Sequence, residues 1–178
     1  MGVRSSVDQD IRDMIRLIQD DRTEIVVIPE RRHLLSSSRS RKVPRTDLWI
    51  EIHNPEANGL LVIENKIGSK ELDRQLNDYE LPARRWCRRY AKCKRLFVFL
   101  TVNGDAPKSA GSENWIPASY SRLACTLRNV LEENQKALAT SWLRLYIASI
   151  GRNVLGLRLE SPGTMSILKL QEYAGIAR

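Results

Sequence analysis

Apolar positions recur at helical spacing from the start of the chain. Val7, Ile11, Met14, Ile15 and Ile18 share one face, so residues 7–21 are expected to form an amphipathic helix. The period then changes. "TEIVVIPE", residues 23–30, is a short β-branched run that reads as a strand closed by Pro29. "RRHLLSSSRSRKVPR", residues 31–45, shows no periodicity and reads as a mobile basic loop. Residues 46–53, "TDLWIEIH", alternate, with Leu48, Ile50 and Ile52 on one face and Asp47, Trp49 and Glu51 on the other. "NPEANG" turns the chain and "LLVIENKI" returns, predicting a hairpin. A helix is expected from about Lys70, with Leu72, Leu76 and Tyr79 facing inward. Pro82 should break or kink it ahead of a basic second helix carrying Trp86 and Tyr90.

"RLFVFLTVNG", residues 95–104, is a strand ending at an Asn-Gly turn, and residues 105–114 read as a loop. "WIPASYSRLACTLRNVLEEN" passes from an extended piece into a helix. "KALATSWLRLYIASI" is a further helix with Leu138, Trp142, Leu145 and Tyr146 along one stripe. Beyond Arg152, "NVLGLRLE" fits a strand and "MSILKLQEYA" a short helix. This order predicts helices covering a small mixed sheet, an α/β core of three layers. We expect one domain over residues 1–178, with its core at about 24–150 and a C-terminal extension at 151–178.

Composition changes the picture mainly through charge. Twenty-nine Lys and Arg against 21 Asp and Glu give a net charge of +8. Much of the basic charge falls in two clusters: Arg31, Arg32, Arg39, Arg41, Lys42 and Arg45, then Arg84, Arg85, Arg88, Arg89, Lys92, Lys94 and Arg95. Such a field concentrates polyanions, nucleic acid above all, although a solvated helix face with a basic loop would read the same way. No apolar run approaches the roughly 18 residues of a membrane span, and "MGVRSSVDQD" has no apolar leader segment. Cys87, Cys93 and Cys125 are odd in number and lack CxxC spacing. They are therefore expected to be reduced thiols in a cytoplasmic protein, not a disulfide frame or a zinc site.

The chemistry gathers where the apolar run Leu60–Ile63 meets Glu64-Asn65-Lys66. Residues two apart in a strand face the same way, so Glu64 and Lys66 project together with Val62 beneath them. Ile63 and Ile67 should take the opposite, buried face. Across the hairpin, Asp47 can point the same way as Glu64. Two carboxylates and an ammonium at a sheet edge suit Mg²⁺ or Mn²⁺. With a metal-bound water they supply the parts of a phosphodiesterase, Lys66 assisting the water or the charged transition state. Gln75 and Tyr79, at i and i+4 on the following helix, can lean over the same site.

The stretches "RTDLWIEI", "LLVIENKIGSKELDRQLNDYE", "RLFVFLTVNG", "IPASYSRL" and "SWLRLYIASI" resemble the PD-(D/E)XK nuclease superfamily, in particular a bacterial and phage branch with R-x-D, I-E-N-K-I and Q-L-x-x-Y motifs. The resemblance covers roughly residues 24–150. It implies a restriction-endonuclease-like core and a Mg²⁺-dependent endo- or exonuclease acting on DNA, less readily on RNA. Within it, Asp47, Glu64 and the Asn65 carbonyl would be metal ligands, Lys66 the catalytic lysine, and Gln75 a site residue with Tyr79 beside it. Arg45 matches the arginine of R-x-D, Glu30 an acid that closes the first strand, and Asp10 an acid supplied by the first helix. Thr46 stands where the superfamily usually has proline. Arg41, Lys42, Arg45, Arg84, Arg85, Arg88 and Arg89 would hold the nucleic-acid backbone. The resemblance leaves room for a homodimer and gives no reason for a membrane. The rival reading is a nucleic-acid-binding or regulatory protein on the same fold that does not cut.

Overall fold

The computed structural model describes residues 2–33, 44–68, 71, 75–109, 112–133 and 140–156. The elements run α1 (Gly2–Gln19), β1 (Glu24–Arg32), β2 (Arg45–His53), β3 (Asn58–Lys66), α2 (Gln75–Cys87), β4 (Cys93–Thr101), β5 (Trp115–Ser119), α3 (Tyr120–Glu133) and α4 (Thr140–Ser149), followed by a π-helical turn at Ile150–Val154. The strands form one mixed sheet in the order β1-β2-β3-β4-β5. With the four α-helices of the described residues this is an α/β fold of the restriction-endonuclease-like kind. The predicted hairpin is present: β2 and β3 pair antiparallel from Leu48 opposite Ile63 to His53 opposite Asn58.

The chain divides into two compact units. The first comprises Met1–Asn65, Lys70–Phe99 and Pro107–Ile116. Its core is the apolar face of β2 and β3, with Trp49, Leu60 and Val62, closed by Leu76, Tyr79, Ala83 and Trp86 of α2 and by Phe97, Phe99 and Trp115. Helix α1 lays Met14 over Gly59 and is held to β4 by Lys94, whose ammonium lies 2.8 Å from Asp10 and 3.3 Å from Asp13. The second unit comprises Lys66–Ser69, Leu100–Ala106 and Pro117–Arg178. In it, the Thr101 hydroxyl accepts the N–H groups of Gly104 and Asp105, both at 2.8 Å, which fixes the Asn-Gly turn. Ser119 caps α3 by accepting the Arg122 N–H at 3.2 Å.

Several expectations are corrected. Pro29 does not close β1, which continues to Arg32 with Arg31 opposite Thr46. β1 is an edge strand, where a missing N–H can face away from the ladder. Pro82 does not split the helix either, since α2 passes through it as one element. An interior proline costs about 3 kcal/mol. The buried face of Leu76, Tyr79, Ala83 and Trp86 outweighs that, because each large apolar side chain contributes about 1.5–3 kcal/mol. Cys87 and Cys93 are not separate thiols. They form a disulfide between the end of α2 and the start of β4, with Cα atoms 5.4 Å apart, while Cys125 is free and buried.

Ile67 lies past the end of β3 and is exposed. The stripe on α4 also faces out: Trp142, at 76% exposure, Leu145 and Tyr146 are uncovered, whereas Thr140 and Ile147 are buried. Asn153 and Val154 belong to the π-helical turn, not to a strand. The central part of the expected basic loop, the first turns of the expected helix with Leu72, and the tail from 157 lie outside the described residues.

Candidate functional site

The site forms where β2 and β3 run past their last ladder pair. Leu48 stands opposite Ile63, and one step further stand Asp47 and Glu64. The Asn65 N–H donates to Asp47 Oδ2 at 2.7 Å, tying the Asp47 carboxylate to the end of β3. A strand residue's N–H and C=O point to the same edge, so the Asn65 carbonyl also faces the β2 side, where Asp47 sits. Glu64 is 2% exposed, with Val62 beneath it on the same face. Lys66, the last residue of β3, is half-buried.

Helix α2 begins with Gln75, and its first turn meets Glu64. Gln75 Nε2 donates to Glu64 Oε1 and to Tyr79 Oη, both at 2.7 Å, and Tyr79 Oη in turn donates to the Arg45 carbonyl at 2.7 Å. Glu64, Gln75, Tyr79 and the Arg45 backbone thus form one continuous chain. Burial first, then the negative charges of Glu64 and Asp47, push the Tyr79 hydroxyl well above the ordinary phenol range. The hydrogen bond from Gln75 opposes this only in part. Tyr79 therefore stays protonated and remains a donor.

The remaining candidates fall into three groups. Arg45 and Glu30 pair with each other at 3.3 Å on the exposed side. Glu30 does not end β1, but it adopts a left-handed backbone with φ 51° between the Pro29–Leu48 and Arg31–Thr46 pairs, which sets it opposite Asp47. Asp10 does not join the group around Glu64; it binds the Lys94 ammonium at 2.8 Å. Of the basic residues, Arg84 is engaged by Glu80 at 2.9 Å, and Arg85, Arg88 and Arg89 are exposed. Arg41 and Lys42 lie outside the described residues.

Two residues were passed over by sequence reasoning. His33 is 6% exposed, its Nε2 3.1 Å from Thr46 Oγ1 and its ring 4.8 Å from Trp49. Thr46, which stands where the superfamily usually has proline, is fully buried against it, immediately before Asp47. No periodicity marked His33, because Pro29 concealed the continuation of the strand. Burial, with a smaller contribution from Arg31, lowers the His33 pKa to about 4, so the ring is neutral near pH 7. Trp49, which shares a strand face with Asp47, is 1% exposed and serves the core.

Among the described residues, no group of three or more His, Cys, Asp or Glu side chains comes together. The available set is two carboxylates with a main-chain carbonyl beside one of them. These are hard oxygen donors of the kind Mg²⁺ and Mn²⁺ prefer, leaving several coordination positions to water or phosphate. The residues fit a divalent cation of that class.

The family model of the PD-(D/E)XK nuclease superfamily matches residues 9–148. No curated protein and no solved structure matches the chain. The family match spans α1 to α4 and includes every strand, both carboxylate-bearing strand ends and Gln75; the chain belongs to the PD-(D/E)XK nuclease superfamily.

Proposed function

We propose that the protein is a Mg²⁺-dependent nuclease that hydrolyses phosphodiester bonds in DNA. The observation that carries this reading is the junction of β2, β3 and α2. There Asp47 is held by the Asn65 N–H and Glu64 by Gln75, on the strand face that Lys66 shares. Asp47, Glu64 and the Asn65 carbonyl are the residues that would hold the cation. When bound, it would acidify a water and offset charge on the phosphoryl oxygens. Lys66 orients the attacking water or meets the negative charge that builds on the phosphate. Gln75 fixes the rotamer of Glu64, and Tyr79 fixes Gln75.

DNA is favoured over RNA because Trp49 and Trp86, beside the arginines of α2, are buried and present no stacking face. Beside those arginines the contacts that remain are charge contacts to phosphate, which suit a duplex backbone, whereas sequence-specific RNA readers stack unpaired bases on aromatic rings. The test is incubation with single- and double-stranded DNA and RNA in Mg²⁺, Mn²⁺ or EDTA, beside Glu64→Ala and Lys66→Ala. We expect metal-dependent cutting of duplex DNA that falls at least about a hundredfold in both variants. Binding without cutting, indifferent to EDTA and to both substitutions, would instead establish the non-cutting scaffold.

A further inference from the structure

Beyond the candidate centre, β1 and the C-terminal half of α2 enclose a cleft of about 340 Å³. Its floor is His33, Trp49 and Trp86, and its rim carries Arg32, Arg85 and Arg89. A fourth arginine, Arg31, is already committed: it is ion-paired with Glu51 and lies over the Trp49 ring at 4.5 Å. Glu51 also accepts from Trp49 Nε1 at 2.8 Å, so this carboxylate is spent on Arg31 and the floor. Among the described residues no carboxylate pairs with Arg32, Arg85 or Arg89. Arg89 is steadied from within, its Nε donating to the Trp86 carbonyl at 3.3 Å and its guanidinium 5.7 Å from the Trp86 ring. Neutral His33 adds no charge.

Among the described residues, three guanidinium groups thus line one cleft without a paired carboxylate, over a floor that is largely aromatic. Such a floor raises the local strength of electrostatic contacts, and guanidinium forks match phosphate oxygens in pairs. A second cleft of about 420 Å³, lined by Arg84, Arg88 and Arg95, differs in that Glu80 already engages Arg84.

We propose that the cleft at Arg32, Arg85 and Arg89 binds a phosphate of the DNA strand at a fixed distance from the bond to be cut. That distance rests on the nuclease reading; the phosphate site does not. Arg85 lies ten residues after Gln75 on α2. At about 1.5 Å per residue that is about 15 Å along the helix. One strand of a duplex rises about 3.4 Å per nucleotide, so the bound phosphate falls roughly four nucleotides from the one at Glu64.

The experiment is equilibrium binding of labelled duplex DNA by fluorescence anisotropy in EDTA, across a salt series. Wild type, Arg85→Ala/Arg89→Ala and Arg85→Lys/Arg89→Lys are compared. Arg12→Ala/Arg16→Ala, on the exposed face of α1, serves as a basic control. The double alanine variant should bind about tenfold more weakly and lower the slope of log K against log salt by about 1.8, roughly 0.9 for each lost contact. The lysine pair should keep the slope but lose part of the affinity, and the control should change less than about twofold.

Matched duplexes with a 5′-phosphate or a 5′-hydroxyl separate the two phosphate sources. A preference for the phosphorylated end that disappears in the double variant assigns a terminal phosphate, and equal binding of both assigns a backbone diester. Unchanged affinity and slope in the alanine pair would overturn the site. So would displacement of DNA by poly-glutamate at equal charge concentration, which would assign the cleft to an acidic polypeptide. Because binding is read without metal, a loss of affinity in a protein that never cuts keeps the site and removes the nuclease. Cutting with unchanged binding does the reverse.

Discussion

At the scale of single residues, the candidate centre depends on what holds Glu64. A carboxylate on a strand end can rotate, and the Gln75 amide, donating at 2.7 Å and itself tied to Tyr79, holds the oxygen that faces α2. Gln75→Leu should therefore raise the Mg²⁺ concentration for half-maximal cleavage about ten- to hundredfold, the usual penalty for losing a group that orients a ligand. Metal titration of activity checks it, and Gln75→Glu, which sets a second carboxylate against Glu64, should not rescue. His33 makes a different prediction. Its folded-state pKa of about 4 lies below the ordinary 6.5, so the unfolded chain binds the extra proton between those values. Stability is full above pH 6.5 and is lost as pH falls towards 4. Urea unfolding at pH 7 and pH 5 should show a drop in wild type that His33→Gln reduces. The two residues also differ in how readable they were. Strand alternation alone placed Glu64 beside Lys66 and Asp47 across from them, whereas the burial of His33 depends on Thr46 and Trp49, partners distant in sequence that no local pattern announces.

At the scale of elements, the hydrophobic period identified the helices and strands but not where they stop. Both prolines misled for the same reason: local propensity was given the decision, and tertiary context took it. Pro29 sits on an edge strand where its missing donor is harmless, and Pro82 sits in a helix whose apolar face is buried from Leu76 to Trp86. The stripe on α4 shows the converse, since its apolar periodicity was real yet the side turned to the interior carries Thr140 and Ile147. Packing between α1 and the hairpin gives the prediction at this scale. Gly59 lies opposite Ile52, and an added Cβ there would land on Met14 Sδ and 3.3 Å from Ile52 Cβ. Gly59→Ala should destabilise the protein by about 1–3 kcal/mol through overpacking. The cost should shrink in a Met14→Ala background, because the thioether is the nearer obstacle and the Ile52 side chain the lesser one. A double-mutant cycle in urea measures that coupling directly. Equal penalties in both backgrounds would place the conflict at Ile52 instead.

For the molecule as a whole, charge and site make separate claims, and metal binding distinguishes them. A net charge of +8 draws the chain to any polyanion, with or without catalysis, so affinity for DNA by itself says nothing about cutting. A paired Asp47 and Glu64 is another matter. Two carboxylates at one strand junction offer hard oxygen ligands, and a cation that binds only the folded chain stabilises it by mass action. At a hundred times its dissociation constant that amounts to about 2.7 kcal/mol, a shift of roughly 5–11 °C in melting temperature for a chain of this size. Wild type should therefore melt higher in Mg²⁺ or Mn²⁺ than in EDTA. Asp47→Asn should lose most of that shift, and Arg85→Ala/Arg89→Ala should keep it, because the basic cleft takes no part in holding the metal. Scanning calorimetry with and without the cation reads all three, without any need for a substrate. A basic scaffold without a working centre gives the opposite pattern: no metal-dependent shift in any of the three proteins, and DNA affinity lost only with the arginines.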